Sequence, residues 1–244
     1  MDIKALPKKF YQRVNLSVKN QFSKYAKEYK NYNIIQQIVA KSLVRELKFQ
    51  PKRILELGCG SGQVYTHIFW DLDFYKAIDF SSSMCELHPK GENIEVKCFD
   101  FDTQEFLDEI KDNSYDIVLS SSALQWSKDL SKIIKHLSYI TNEINAVLFT
   151  SNTFKTIQEL TKTKSPILDE NSIKEAFSKY FKCEFETILY KLEFDNKKDL
   201  FDYIKKSGVS GEASLDFKDA KKLYKEYNLN YLEFEVIFVK TISK

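Results

Sequence analysis

RILELGCGSG, residues 53–62, runs from an apolar strand, Arg53 to Leu57, straight into a glycine-rich turn, with a helix expected to begin near Gln63. Glycine has no Cβ and tolerates positive φ, so at the carboxyl end of a parallel strand such a turn lets a ligand approach the backbone closely. The chain has six glycines and four prolines in 244 residues, where average usage gives roughly 17 and 12. Half of those glycines are Gly58, Gly60 and Gly62. A dinucleotide fingerprint, GxGxxG/A, needs a small residue at the position of Gln63, and a phosphate loop needs GK[ST]; both are absent. A purely structural turn would also use these glycines, so a second element must carry the reading. Asp79 ends the strand YKAID, 21 residues after Gly58. A carboxylate at that strand tip accepts hydrogen bonds from ribose hydroxyls; it would equally serve as N-cap of the following helix.

Outward from this motif, short β-rich runs near 53–58, 75–79, 94–99, 115–121 and 145–151 alternate with helical stretches. Apolar strands separated by helices indicate a parallel sheet covered on both faces. Asp102 and Glu105 have capping-box spacing for one helix start. Residues 17–48 carry apolar side chains at helical steps from Phe22 to Leu47, closed by Pro51. Segments 184–194 and 231–242 alternate with period two, as antiparallel strands do, and the last is expected to insert at the sheet edge. Helices are expected over 197–206 and 215–227, around Ser207–Gly211. No linker divides the chain, so the expectation is one domain: a helical lid over 10–48, a ligand-binding core over 50–152, lid helices and a strand over 153–230, and a final strand over 231–242.

A composition of 43% hydrophobic and 30% charged residues excludes disorder, collagen-like repeats and a disulfide scaffold. There is neither an N-terminal h-region nor a long apolar run, so a cytoplasmic location is expected. Four cysteines and three histidines lack metal-ligand spacing, and no metal is expected. Residues 1–60 hold 13 Lys+Arg against 4 Asp+Glu, leaving 24 against 31 in the remainder. The N-terminal quarter is therefore +9 and the rest −7, a distribution suited to an acidic partner or to a plain solvated helix face.

ILELGCGSG, AIDFSSSM (77–84), FDFD (99–102) and YDIVLSSSALQW (115–126), in this order and spacing, resemble the motif set of class I S-adenosylmethionine-dependent methyltransferases. The resemblance implies an α/β fold: a Rossmann-like, seven-stranded, mostly parallel sheet with helices on both faces, an antiparallel last strand and helical lid elements. It implies that Glu56 and the Gly58-Cys59-Gly60 backbone hold the methionine moiety, the turn's amides facing its carboxylate. Asp79 would take the ribose hydroxyls, Phe80 and Met84 the adenine slot, Asp100 the adenine amino group and Phe101 the ring, with Ser120 closing the site. Asp102 is better read as a helix cap.

FSKYAKEYKNYNIIQQIVAKSL (22–43), SSSALQW (120–126), TFKTIQEL (153–160), FDYIKKSGV (201–209) and LEFEVIFV (232–239) further resemble segments of the malonyl-acyl-carrier-protein O-methyltransferases of biotin synthesis. One departure is CELHPKGENIEV after Met84, which leaves little room for the usual helix. What this resemblance implies is methyl transfer to the free carboxylate of a malonyl thioester on an acidic acyl carrier protein or coenzyme A. Such a carboxylate is ionised at pH 7 and needs no general base. Tyr25 and Tyr29 would form a lid, Gln36 would reach the cofactor's carboxylate, and Gln125 and Trp126 would line the acceptor side; aromatic residues at such spacing also fit a helix core. Three alternatives stay open. A trans-aconitate type enzyme would favour bidentate arginines, and the chain has Arg13, Arg45 and Arg53 alone. An RNA methyltransferase would exploit the basic N-terminus, but SSSA stands where NPPY is expected. A non-catalytic cofactor-binding partner protein would show degraded glycines.

Overall fold

The protein is described here by a computed structural model covering residues 33–206 and 217–242. In chain order the elements are α1 (Ile34–Arg45), β1 (Arg53–Leu57), β2 (Phe74–Asp79), α2 (Ser82–Leu87), β3 (Ile94–Cys98), α3 (Gln104–Ile110), β4 (Ile117–Ser121), α4 (Leu130–Leu137) and β5 (Ile144–Phe149). There follow α5 (Lys155–Thr161), α6 (Glu170–Ser178), β6 (Cys183–Glu193), α7 (Lys197–Lys206), α8 (Phe217–Glu226) and β7 (Tyr231–Thr241). The strands form one seven-stranded sheet in the order β3-β2-β1-β4-β5-β7-β6, with β1 to β5 parallel. β7 runs antiparallel to β5: Ile144 N donates to Thr241 Oγ1 near one end, and Thr150 N to the Glu235 carbonyl toward the other. It therefore lies inside the sheet, between β5 and β6, rather than at the edge the sequence suggested.

The described chain forms two compact units. The first contains residues 36–148, 171–186 and 238–242. Its central strands β1, β4 and β5 are mostly apolar and buried, β5 at every residue, which is what a sheet covered on both faces requires. α4 shows how its helices dock: Leu130, Ile133, Ile134 and Leu137 form one buried stripe, and Asp129 caps the start by accepting from Lys132 N at 2.9 Å. The start of β1 is fixed by Asp116, whose Oδ2 accepts from Lys52 N and Arg53 N at 2.7 and 2.8 Å. The cap of α3 differs from expectation. Thr103 Oγ1 accepts from Phe106 N, while the Asp102 carboxylate accepts from Ser127 Oγ and Lys128 N and so ties down the segment before α4. The helix expected near Gln63 is absent: Gly60 and Gly62 take positive φ, and a single 3-10 turn, Tyr65–His67, follows. α2 is six residues long, in keeping with the crowded connection after Met84.

The second unit contains residues 33–35, 149–170, 187–206 and 217–237. The chain leaving β5 is locked onto β7 by polar side chains. Thr150 Oγ1 donates to the buried Glu235 carboxylate at 2.6 Å, Asn152 Nδ2 to the same oxygen at 3.2 Å, and Thr153 Oγ1 to the Glu235 carbonyl. Phe154, at φ 59°, then packs edge-on against Phe234, with ring centroids 5.0 Å apart, and opens α5. Of the helix expected over 17–48, Ile34–Arg45 is seen and residues 46–48 are not helical; 17–32 lie outside the described residues, as do Ser207–Gly211.

β2 carries a buried cation. Lys76, 3% exposed, pairs with Glu95 on β3 at 2.8 Å and with Glu109 on α3, and Lys97 joins both glutamates. The Glu109 carboxyl is held below its ordinary value by the Lys76 hydrogen bond first; Glu95 is also lowered, its lysine partners outweighing its burial. Depressed carboxyl pKa values add stability above the unfolded value near 4.5 that is lost as pH falls through the folded one. Both glutamates are partly exposed, so Lys76→Ala should cost about 1–2 kcal/mol at pH 7, below a fully buried pair. Urea unfolding should show that cost shrinking below pH 4; a cost unchanged by acid would mean that lost packing dominates.

Candidate active site

The glycine turn sits at the carboxyl end of β1, where its three glycines do different work. A Cβ on Gly58 would lie 2.0 Å from Ala123 Cβ, so the turn and the chain leaving β4 touch through the smallest available groups. A Cβ on Gly62 would lie 2.5 Å from Pro89 Cδ and 3.2 Å from His88 Cδ2: the connection after α2 packs on this glycine. At Gly60 nothing lies within 4 Å of the Cβ position, and φ is +52°. The backbone is thus open at the middle glycine and closed at the outer two.

Where the turn's amides point departs from expectation. Gly58 N and Cys59 N both donate to the Ile78 carbonyl, at 2.7 and 3.0 Å, and Gly60 N donates to Asp79 Oδ2 at 2.9 Å. β2 engages all three, so they are not directed at a ligand carboxylate. Asp79 also accepts from Ser81 N through Oδ1 at 2.9 Å, while Ser81, not Asp79, caps α2. Burial pushes the Asp79 carboxyl up to about 6, against the lowering effect of these two backbone hydrogen bonds. A carboxylate offers about four acceptor positions, so Asp79 retains capacity for a pair of hydroxyls.

Beside it, Glu56 is 1% exposed and its Oε2 accepts from Tyr75 Oη at 2.6 Å. Burial first, then the Glu56 charge and this hydrogen bond, push the Tyr75 phenol well up, so it stays a donor. His88 faces the Pro89 carbonyl through Nδ1 at 2.8 Å, and a carbonyl can only accept; the ring proton therefore sits on Nδ1. Its Nε2 lies 3.9 Å from Glu56 Oε2. Sequence reasoning missed this Glu56-Tyr75-His88 group, because the residues come from three elements and neither Tyr75 nor His88 belongs to a motif.

The other expected residues divide. Met84 and Phe101 are buried, and Phe80 is half-buried at the β2 tip. Asp100 is partly exposed; its Oδ1 accepts from Asp102 N, and Lys128 Nζ lies 3.6 Å from Oδ2. Ser120 donates to the Leu57 carbonyl at 2.8 Å, and so joins the ends of β4 and β1 rather than presenting a free hydroxyl. Gln125 spends its amide on the Ser122 carbonyl at 2.7 Å. Gln36 is buried on α1, and Tyr25 and Tyr29 lie outside the described residues. The chain leaving β4 adds what the sequence did not reveal. Ser122 adopts φ 61°, a conformation that non-glycine residues hold chiefly where the surroundings impose it. Ser121 Oγ, Ser122 Oγ and Trp126 Nε1 are buried without a hydrogen-bond partner among the described residues. Buried donors left open in this way mark a place where a ligand is expected to complete the bonding.

Among the described residues no cluster suited to a metal ion occurs, and no helix is long and apolar enough to cross a membrane. Residues 55–143 match the family model described as a methyltransferase domain. The malonyl-[acyl-carrier protein] O-methyltransferase of Bacillus cytotoxicus is 26% identical over 234 residues, covering 85% of this chain and 81% of that protein. Among solved structures, the YcgJ protein of Bacillus subtilis superposes with a TM-score of 0.61 at 12% identity, covering 85% of this chain and 99% of that one. The plantazolicin methyltransferase BpumL, solved in complex with SAH, superposes with a TM-score of 0.50 at 14% identity, covering 92% and 94%. A methyltransferase domain, a Rossmann-like sheet and a strand-tip carboxylate beside an open glycine make this chain an S-adenosylmethionine-dependent methyltransferase, resembling the malonyl-acyl-carrier-protein O-methyltransferases.

Proposed function

We propose that the chain methylates the free carboxylate of a malonyl thioester carried by an acyl carrier protein, an early step of biotin synthesis. The observation that carries this reading is the extent of the similarity. It reaches 85% of the chain, well beyond the domain at 55–143, into segments that a shared cofactor alone would not explain.

When bound, S-adenosylmethionine supplies an electrophilic methyl group on a sulfonium. Asp79 holds the ribose hydroxyls with its remaining acceptor positions, and Phe80, Met84 and Phe101 enclose the adenine, with Asp100 at its amino group. Glu56 supplies negative charge toward the ammonium. Because the amides of Gly58, Cys59 and Gly60 are turned to β2, the turn itself suits the donating ammonium better than the carboxylate, which is left to Gln36. On the acceptor side, Ser122 Oγ and Trp126 Nε1 are buried donors that match a carboxylate. They would hold its oxygens in place, and apolar surroundings would strip it of water. An ionised carboxylate has no proton to lose, so the reaction asks for placement rather than for a base. Tyr25 and Tyr29, outside the described residues, are assigned to the acceptor by the family resemblance alone, and the basic N-terminal quarter would attract the acidic carrier.

Purified protein supplied with radiolabelled S-adenosylmethionine should label malonyl-acyl carrier protein in preference to malonyl-CoA, trans-aconitate or RNA. Labelling of trans-aconitate alone, or cofactor binding with no transfer to a malonyl thioester, would overturn the assignment. Within the active enzyme, Trp126→Phe keeps the ring and removes the N–H. Loss of a hydrogen bond to a charged group should raise KM for the malonyl substrate about tenfold, with cofactor affinity unchanged. An unchanged KM would remove Trp126 from the acceptor site.

A further inference from the structure

Three of the four cysteines converge on the tip of β2. Cys59 lies inside the glycine turn, Cys85 on α2 and Cys98 at the end of β3. The Cys85 thiol interacts with that of Cys59 on one side and that of Cys98 on the other, and its sulfur also lies 3.7 Å from the carbonyl of Lys97, the residue before Cys98. Cys85 Sγ lies 3.5 Å from the Asp79 carbonyl, and Cys98 Sγ lies 3.5 Å from that of Phe80, the next residue. Register supports the closeness, since Asp79 and Cys98 are paired across β2 and β3. Access differs: Cys98 is exposed, Cys85 is 8% exposed and Cys59 is 2% exposed.

We propose that Cys85 and Cys98 form an oxidative modification site, closing to a disulfide when the protein meets a hydroperoxide. The Cys85 thiolate attacks one peroxide oxygen, the O–O bond breaks, and with hydrogen peroxide the products are a sulfenic acid and hydroxide. The Cys98 sulfur then attacks the Cys85 sulfenic sulfur; its proton and the departing hydroxyl leave as water, and both sulfurs end oxidised. Cys59 first, and Cys98 to a lesser extent, draw the Cys85 thiol below its ordinary pKa against the opposing effects of burial and the Asp79 charge, which favours the thiolate that must attack. Cys183 differs: burial pushes its thiol up to about 11, and it stays inert.

The bridge itself does not depend on where the cofactor binds. Its consequence rests on the reading of Phe80, Met84 and Phe101 as the adenine walls. Cys85 follows Met84 directly, and Cys98 lies three residues before Phe101. Drawing two sulfurs from non-bonded separation to a bond of about 2 Å displaces these walls by about 1 Å or more. A gap of that size forfeits a large part of the dispersion contact.

The reduced full-length protein should be treated with hydrogen peroxide and followed by intact mass, peptide mapping and calorimetric titration with S-adenosylhomocysteine. The expected result is loss of two hydrogens, a Cys85–Cys98 linked peptide, and affinity about tenfold weaker as wall contacts are lost, restored by dithiothreitol. Cys98→Ser, an exposed change that spares the core, should form no bridge and keep its affinity after peroxide. A Cys59–Cys85 bridge, oxidation confined to Cys98 as a sulfinic acid, or a Cys85–Cys98 bridge with unchanged affinity would overturn the proposal. If the reduced protein fails to bind S-adenosylhomocysteine, the cofactor site is wrong, and the mass measurement still decides the bridge.

Discussion

The hydrogen bond from Gly60 N to the Asp79 carboxylate joins the two strand tips on which this site depends. No regular helix follows the glycine turn, and its amides are held by β2 through the Ile78 carbonyl and Asp79. The same carboxylate accepts from Ser81 N and sets the start of α2. One side chain thereby positions the turn, the α2 wall and its own free acceptor positions together. The outer glycines are then demanded by neighbours, Ala123 against Gly58 and Pro89 against Gly62, while the middle one is left facing open space.

The arrangement has an electrostatic cost that also explains its use. Glu56 and Asp79 are both buried, and Asp79 is raised by burial despite two amide donors. Such a pair suits a ligand that brings hydroxyl donors and positive charge and repels one that brings phosphates, which agrees with the missing phosphate-loop and dinucleotide signatures. On the proposed acceptor side the chemistry is reversed: the buried donors at Ser122 and Trp126 have no hydrogen-bond partner among the described residues. In the proposed reading an acidic cofactor pocket stands apart from a donor-rich acceptor pocket, as methyl transfer from a sulfonium to a carboxylate requires.

Much of this was legible in the sequence where geometry is local. The glycine triplet, the strand-tip Asp79 and the period-two C-terminal strands placed the sheet and the turn at the end of β1, because each depends on short-range periodicity or on a backbone that Gly alone adopts. What escaped depends on partners distant in sequence. Asp102 looked like a cap beside Glu105, yet Thr103, one residue closer, takes that role and frees Asp102 for Lys128. Ser120 looked like a ligand contact and is bonded to Leu57 instead. The helix expected after Gly62 is reduced to the 3-10 turn Tyr65–His67, which ends where Ile68 turns extended. The αL geometry of Ser122 has no sequence signal at all.

The central claim, that Asp79 receives the cofactor's ribose, is tested most directly by the pH dependence of S-adenosylhomocysteine affinity between pH 5 and 8. A pair of hydroxyls bonds most strongly to an ionised carboxylate, which accepts through both oxygens, and burial pushes the Asp79 carboxyl up to about 6, so wild-type affinity should hold above that pH and weaken below it. Asp79→Asn should bind weakly across the whole range, without that step. Equal affinity at pH 5 and pH 8 in the wild type, or an unimpaired Asp79→Asn, would contradict the account.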